Sequence, residues 1–120
     1  MDNRSFQVHI TSEVPDTPGP LTIHCKSRDN DLGEQLMNNG QDFHWSFKEN
    51  LFGTTLFICG FGWNGKIQSF DVFSDTLDEY GHRPQEPRLC VWIVRPDGFY
   101  LGNGDSNNYT KLYYWLNPVH

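Results

Sequence analysis

Short apolar runs, interrupted at frequent intervals, constrain the fold of this chain more than any other feature of its sequence. Residues 21–26 alternate strictly: Leu21, Ile23 and Cys25 share one face, and polar side chains share the other. This period of two is typical of a half-buried β-strand, which here would carry Cys25 into a core. The chain also contains 11 Gly and 7 Pro. These residues break the apolar runs repeatedly and favour an all-β domain.

Eight segments fit the strand pattern, namely residues 5–11, 21–27, 41–48, 54–63, 67–73, 89–95, 99–101 and 111–116. Turn-forming residues at 64–65 and 96–98 separate neighbouring segments and predict hairpins. Residues 32–40 are predicted to include one short helical turn. The spacing predicts a single domain over residues 1–120, an antiparallel β-sandwich of about eight short strands, with a small barrel as the alternative.

One predicted strand, residues 54–63, is apolar on both faces and is expected to be a central strand that is covered on both sides. Gly60 and Gly62 lie on one of these faces. Because glycine in a strand often marks a close approach, we expect a large side chain or backbone to cross there.

The negative net charge and the lack of long apolar runs argue against two classes of partner, nucleic acids and membranes. A formal net charge of −6 argues against nucleic acid or an anionic membrane, since both favour a basic surface. No run reaches the ~18 apolar residues that a membrane-spanning helix needs, so membrane insertion is not expected. Residues 1–4 are polar, and no signal peptide is visible. The chain is therefore either cytosolic or the mature segment of a secreted protein.

The three cysteines, Cys25, Cys59 and Cys90, are an odd number, so one would be left over if two paired in an oxidising compartment. The sequence contains no C-x-x-C motif, which argues against a zinc site built from cysteine. Two N-x-S/T sequons, at Asn3 and Asn108, are candidate glycosylation sites that matter only if the chain is secreted.

The acidic residues that follow the second predicted strand have two interpretations. Asp29, Asn30 and Asp31 offer oxygen atoms before a glycine and so faintly resemble the start of a calcium loop. However, Gly40 stands where the bidentate glutamate of such a loop would be. Turn formation by short polar side chains is therefore the favoured interpretation.

Three histidines, His9, His24 and His44, lie on the polar faces of predicted strands. If they met in one sheet, they could bind a metal or respond to pH. No H-x-H or H-x₃-H pair occurs, so solvated strand positions are favoured, and we expect no metal ligands and no cofactor. No nucleophile lies in a recognisable strained turn such as G-x-S-x-G, and we expect no catalytic residues and no enzymatic activity.

Four motifs occur in an order that suggests a known family. They are H-C-K-S with an acidic turn and L-G (residues 24–33), W-S-F (45–47), T-T-L-F-x-C (54–59), and C-x-W followed by D-G (90–98). Together they resemble the plant self-incompatibility S1 family, the S-protein homologues. The resemblance implies a small secreted plant protein with a β-sandwich fold and no catalytic activity. Some members act in the pistil, where they signal incompatible pollen through a membrane receptor.

The resemblance also bears on the cysteines. Many members carry a fourth cysteine just before the C-x-W element, and this chain lacks it. From this comparison we predict a disulfide between Cys25 and Cys90, with Cys59 as a free, buried thiol. Pairing of Cys59 with either Cys25 or Cys90 is the alternative.

The function that the resemblance implies is that of an extracellular signalling ligand for a membrane receptor, with a self-incompatibility-like or developmental role. We expect the protein to be a monomer. Recognition is expected to lie in the loops at residues 13–20, 30–41, 75–87 and 102–108, since loops on a rigid scaffold commonly carry binding residues. The candidates in the longest loop are Asp75, Asp78, Glu79, Tyr80, His82 and Arg83. The competing view is that this loop is only a long connection.

A lectin-like module that binds glycans without signalling is the alternative function. It would use a platform of exposed aromatic rings, for which the C-terminal cluster of Tyr109, Tyr113, Tyr114 and Trp115 is the candidate. Core packing is expected to account for at least half of these rings.

Overall fold

The computed structural model describes residues 5–48, 55–74, 88–102, 104 and 108–118. Within these ranges the secondary structure is all β, as predicted. The strands are β1 (Ser5–Ser12), β2 (Leu21–Ser27), β3 (Asp31–Met37), β4 (Asp42–Lys48), β5 (Phe57–Trp63), β6 (Lys66–Phe73), β7 (Arg88–Arg95), β8 (Gly98–Gly102) and β9 (Thr110–Tyr113). In the described part of the chain, no helix has the length and apolar character that a membrane span requires.

The strands form two sheets that pack face to face, which confirms the predicted β-sandwich. Sheet A has the order β4-β1-β7-β8-β9, and sheet B has the order β3-β2-β5-β6. Every described strand pair is antiparallel except β1 and β7, which run parallel at the centre of sheet A. The observed sandwich therefore differs from the expected one by an additional strand and a parallel pair.

The additional strand is β3, in the segment where a short helical turn was predicted. Residues Asp31–Met37 pair with β2 instead, across a β-bulge between His24 and Lys26. The hydrogen bonds of this pairing and the burial of Met37, which is 4% exposed, outweigh the local helical preference. Gly40 then ends the segment in a turn with a φ of 88°.

Both predicted hairpins are present. Asn64 and Gly65 connect β5 to β6 with φ angles of 52° and 72°, the positive values that a type I′ turn requires at both central residues. Residues 96–97 turn β7 back into β8, which begins at Gly98. The predicted turn chemistry thus fixes two of the antiparallel registers.

Aromatic side chains fill the space between the sheets. Phe70 of sheet B packs against Trp92, Phe99 and Tyr113 of sheet A, with ring centroids 4.8, 5.2 and 4.1 Å apart. Such rings bury a large apolar area per residue and favour offset or edge-to-face contacts. The carbonyl of Val72 adds a polar link, because it accepts a hydrogen bond from the indole of Trp92 at 3.0 Å.

The disulfide joins Cys25 to Cys59, so the prediction that Cys25 pairs with Cys90 is wrong. Cys25 in β2 and Cys59 in β5 are direct partners across the antiparallel pair, with Cα atoms 4.0 Å apart. The close spacing fits a non-hydrogen-bonded antiparallel pair, in which facing side chains approach most closely. The prediction that Cys59 is a free thiol is therefore wrong. The alternative, in which Cys59 pairs with Cys25, is the one observed.

Cys90 is the cysteine that lies outside the disulfide. It belongs to β7 in the opposite sheet, its side chain is buried, and its sulfur lies 3.2 Å from the carbonyl oxygen of Val72. The sheet register thus brings the other two sulfurs together and separates this one from them.

We expect the Cys25–Cys59 cross-link to raise the free energy of unfolding by about 4 kcal/mol, because it closes a segment with a sequence separation of 34. The double variant Cys25→Ala/Cys59→Ala should lose this contribution in chemical denaturation. Cys90→Ala leaves the cross-link in place and should cost less. Mass mapping of non-reduced peptides checks the pairing directly, and a peptide that links Cys25 to Cys90 would contradict it.

Candidate recognition surface

The outer face of sheet B carries an open groove whose floor is the backbone of β5. The pairing register sets Thr22, Gly62 and Ile67 in one row across the sheet, and His24, Gly60 and Ser69 in the next. Because two of these central positions have no side chain, the face is depressed along its middle. We call this depression, of about 580 Å³, the sheet-B groove.

The two glycines differ in what lies above them. A Cβ atom at Gly62 would lie 2.8 Å from the hydroxyl oxygen of Thr22. Any larger residue at this position would clash with Thr22, which explains the glycine. At Gly60, no heavy atom among the described residues lies within 4 Å of the equivalent position. The expectation that a large side chain or backbone crosses β5 is therefore wrong. The close neighbour at Gly62 is the short side chain of Thr22 on the adjacent strand, and Gly60 has none among the described residues. We also expected both faces of β5 to be covered. The outer face at Gly60 is open, so this expectation is wrong as well.

Exposed apolar side chains border the groove. Ile67 and Leu116 line it and are 49% and 52% exposed. Leu36, which is 64% exposed, lies opposite Thr22 in the same row of the sheet. Ile67 and Leu116 exchange two backbone hydrogen bonds of 2.9 Å, so the segment after β9 pairs with the edge of sheet B and holds both side chains in place. The apolar border is thus built on hydrogen-bonded backbone.

A charged group adjoins the groove on the β2–β3 side. The carboxylate of Asp31 accepts the backbone N–H of Gly33 at 2.8 Å and lies 2.6 Å from Nε2 of His24. The Gly33 hydrogen bond, followed by the His24 hydrogen bond, holds the pKa of the Asp31 carboxyl below its ordinary value. Glu34 faces His24 across the strand pair, so this side of the groove carries acidic groups around an imidazole.

Most of the predicted recognition loop lies where the structure gives no description. The candidates Asp75, Asp78, Glu79, Tyr80, His82 and Arg83 all fall outside the described residues, and so does the sequon at Asn3. Asn108, the other sequon, is exposed. Residues 30–41 are largely strand β3 rather than a loop.

The loop at residues 13–20 is present and is anchored to its neighbours. The carbonyl of Pro15 accepts the indole N–H of Trp63 at 2.9 Å, and the carboxylate of Asp16 accepts the backbone N–H of Asn39 at 2.6 Å. This loop is therefore held against both β5 and the β3–β4 turn.

The suspected calcium loop is a turn, as favoured from the sequence. The backbone N–H of Asn30 donates to the hydroxyl of Ser27 at 3.1 Å, and the N–H of Ser27 donates to the carbonyl of Asn30 at 2.7 Å. With Asp31 bound to Gly33 and His24, the polar groups of this segment serve the turn itself.

The aromatic cluster considered for glycan binding is divided between core and surface. The ring of Tyr113 stacks on Phe70 at 4.1 Å, and the ring of Trp115 packs 4.6 Å from Phe99. Tyr114 is 67% exposed, but the ammonium of Lys111 lies 4.2 Å from its ring centroid. The rings of Tyr113 and Trp115 therefore belong to the core packing, and only Tyr114 of these three is exposed.

Two of the three histidines on polar strand faces come together, and a carboxylate joins them. His9 and His44 are direct partners across β1 and β4, whereas His24 belongs to the other sheet. Asp42 lies within hydrogen-bond distance of both. Sequence reasoning missed this carboxylate, although its spacing from His44 by two residues along a strand placed both on one face.

The acidic side of the groove gives a prediction about pH. We expect the Asp31 carboxyl to titrate below the ordinary aspartate range in NMR, and His24→Ala to raise its pKa only part of the way, because the Gly33 hydrogen bond remains. Because the pKa of Asp31 is lower in the folded protein than in the unfolded chain, the ionised carboxylate stabilises the fold at pH values above the unfolded-state pKa. This stabilisation is lost as the pH falls through the folded-state pKa. An Asp31 pKa that is the same in His24→Ala would contradict the contact.

Comparison with known proteins identifies the family. The family model described as plant self-incompatibility protein S1 matches residues 7–115. Among Arabidopsis thaliana proteins, S-protein homolog 29 is 37% identical over 90% of this chain and 76% of its own length. S-protein homolog 2 is 36% identical over 79% of this chain, and S-protein homolog 5 is 40% identical over 66%. This chain spans 59% and 58% of the lengths of these two relatives.

A solved structure shares the fold. It aligns with a TM-score of 0.68 and 22% identity, covering 98% of this chain and 99% of its own. It is described as an SPH (Self-Incompatibility Protein Homologue) protein, from a widespread family of small, highly stable, secreted plant proteins. The extracellular location that the sequence resemblance implied is therefore the one described for the family. The match of the family model over residues 7–115 shows that this chain belongs to the plant self-incompatibility protein S1 family.

Proposed function

We propose that the protein is a secreted, non-enzymatic ligand that binds a membrane receptor protein through the sheet-B groove. Membership of the S1 family supports the extracellular setting and the absence of catalysis. The observation that carries the proposal is the apolar border of the groove. Ile67 and Leu116 line the groove and remain exposed, Leu36 is exposed in the same row as Ile67, and the backbone at Gly60 in the next row is open. The monomeric state stays a prediction.

The surroundings of the groove favour a protein over a glycan as partner. Protein interfaces combine an apolar centre with a polar margin, and here exposed aliphatic side chains lie beside His24 and Glu34. A glycan site would instead use accessible aromatic ring faces. The ring that is most exposed in the C-terminal cluster, Tyr114, is covered on one face by Lys111.

The loop at residues 75–87 and the two sequons belong to the same proposal. We propose that this loop selects among receptors while the groove supplies shared affinity, since loops vary more readily than strands. A chimera that carries the loop of a related protein would then change partner choice and keep its fold.

Glycosylation at the exposed Asn108 is likewise proposed for the secreted form.

Filling the groove tests the proposal without loss of the fold. Gly60→Val places a β-branched side chain where the described structure leaves open space, and it should raise the free energy of unfolding by about 0.5–1 kcal/mol. The same variant should weaken saturable binding of the fluorescently labelled, oxidised protein to plant plasma-membrane vesicles.

Ser46→Val is the matched control, because it adds the same side chain at an exposed strand position of sheet A. It should leave vesicle binding unchanged. Protease treatment of the vesicles should abolish binding of the parent protein, whereas enzymatic removal of glycans should not. If Gly60→Val binds as well as the parent protein, the groove is not the receptor site; if removal of glycans abolishes binding, the lectin alternative is favoured.

A further inference from the structure

The outer face of sheet A carries a compact group of metal-binding side chains at the junction of β1 and β4. The antiparallel register sets His9 opposite His44 and Thr11 opposite Asp42. Because successive side chains alternate between the two faces of a strand, His9, Asp42 and His44 all project away from the core. We call these three residues the His–Asp cluster.

Two imidazole nitrogens and one carboxylate oxygen lie close together in this cluster. Nδ1 of His9 lies 3.0 Å from Oδ2 of Asp42, and Nδ1 of His44 lies 2.9 Å from the same oxygen. The two imidazole rings stack with centroids 4.7 Å apart and an interplanar angle of 20°. One nitrogen from each ring and one carboxylate oxygen therefore lie within 4.8 Å of one another.

Neighbouring side chains orient the cluster. Nε2 of His9 lies 3.0 Å from the amide oxygen of Gln7, which accepts its hydrogen. With Nε2 donating to Gln7, the Nδ1 atom of a neutral His9 ring has a lone pair that faces the Asp42 carboxylate, an arrangement that a bound cation would satisfy. Thr11 donates its hydroxyl to Oδ1 of Asp42 at 3.2 Å, which leaves Oδ2 for the imidazoles.

We propose that the His–Asp cluster is a binding site for a divalent transition-metal ion, with Zn²⁺ as the ion to test. The ligands are Nδ1 of His9, Nδ1 of His44 and Oδ2 of Asp42. Two imidazoles with one carboxylate form a ligand set that suits zinc and its neighbours, whereas calcium and magnesium prefer oxygen ligands alone.

The hydrogen bond between His9 and Gln7 also matches the usual surroundings of a metal-binding histidine. Ligating histidines usually donate their other ring N–H to an oxygen acceptor, which fixes the tautomer and the orientation of the ring. Gln7 does this for His9, and the strand register fixes the backbone on both sides. The side chains of His44 and Asp42 are 54% and 35% exposed, so water or a partner's side chain can complete the coordination.

A tetrahedral zinc ion with bonds of about 2.0–2.1 Å holds its ligand atoms roughly 3.4 Å apart. The separations of 2.9 and 3.0 Å on either side of Asp42 are close to this value. The side chains of His44 and Asp42 are exposed and can adjust around an ion while the strand register stays as it is. The proposal does not depend on receptor binding at the sheet-B groove, which lies on the opposite sheet.

Calorimetric titration of the untagged, oxidised protein with Zn²⁺ tests the site. We expect saturable binding of one ion per chain, and a loss of affinity of at least about tenfold in His9→Asn and in Asp42→Asn. His24→Asn is the matched control, because this histidine also faces solvent beside an aspartate but belongs to sheet B. It should bind Zn²⁺ like the parent protein, and Ca²⁺ should give no comparable binding.

A second measurement keeps the outcome clear if a variant is less stable. The visible absorption spectrum of Co²⁺ reports nitrogen ligation directly on the parent protein, and the NMR signals of the His9 and His44 rings should broaden before those of His24. Absence of saturable Zn²⁺ binding would overturn the proposal. Equal loss of binding in His24→Asn and His9→Asn, or a Co²⁺ effect centred on His24, would also overturn it.

Discussion

The register of β1 within sheet A is the constraint on which the rest of the structure depends. This strand lies between β4 and β7, pairs antiparallel with one and parallel with the other, and buries Phe6, Val8 and Ile10 at 2%, 0% and 0% exposure. A slip of one residue would move these side chains to solvent and place polar ones in the core. The same register that fills the core therefore also sets His9 opposite His44 on the outer face.

The contacts that stabilise the domain and the two proposed binding surfaces lie on different faces of the sheets. Aromatic contacts between the sheets, and the Cys25–Cys59 bond within sheet B, hold the scaffold. The outer faces then present different chemistry: an aliphatic border around Gly60 on sheet B, and the His–Asp cluster on sheet A. A small domain can in this way present two separate surfaces, because each surface rests directly on hydrogen-bonded strands.

The sequence predicted the strands with clear alternation and the hairpins with clear turn residues, because both signals are local. It did not predict β3, since residues 32–40 contain residues compatible with a helical turn, and pairing with β2 decides their conformation. The disulfide and the His–Asp cluster depend on which strands are neighbours and in what register. Cys59 faces Cys25 only through the β2–β5 pairing, and His9 joins Asp42 only through β1–β4. Local patterns do not contain that information.

The most direct test of this account is a nuclear Overhauser measurement of the β1–β4 register in the isotopically labelled, oxidised protein. We predict cross-peaks between the imidazole protons of His9 and His44, and between the backbones of Val8 and Trp45, which are direct partners. Hα–Hα or amide–amide cross-peaks that instead set His9 directly opposite Phe43 or Trp45 would show a shifted register. That result would contradict both the core and the outer-face cluster described above.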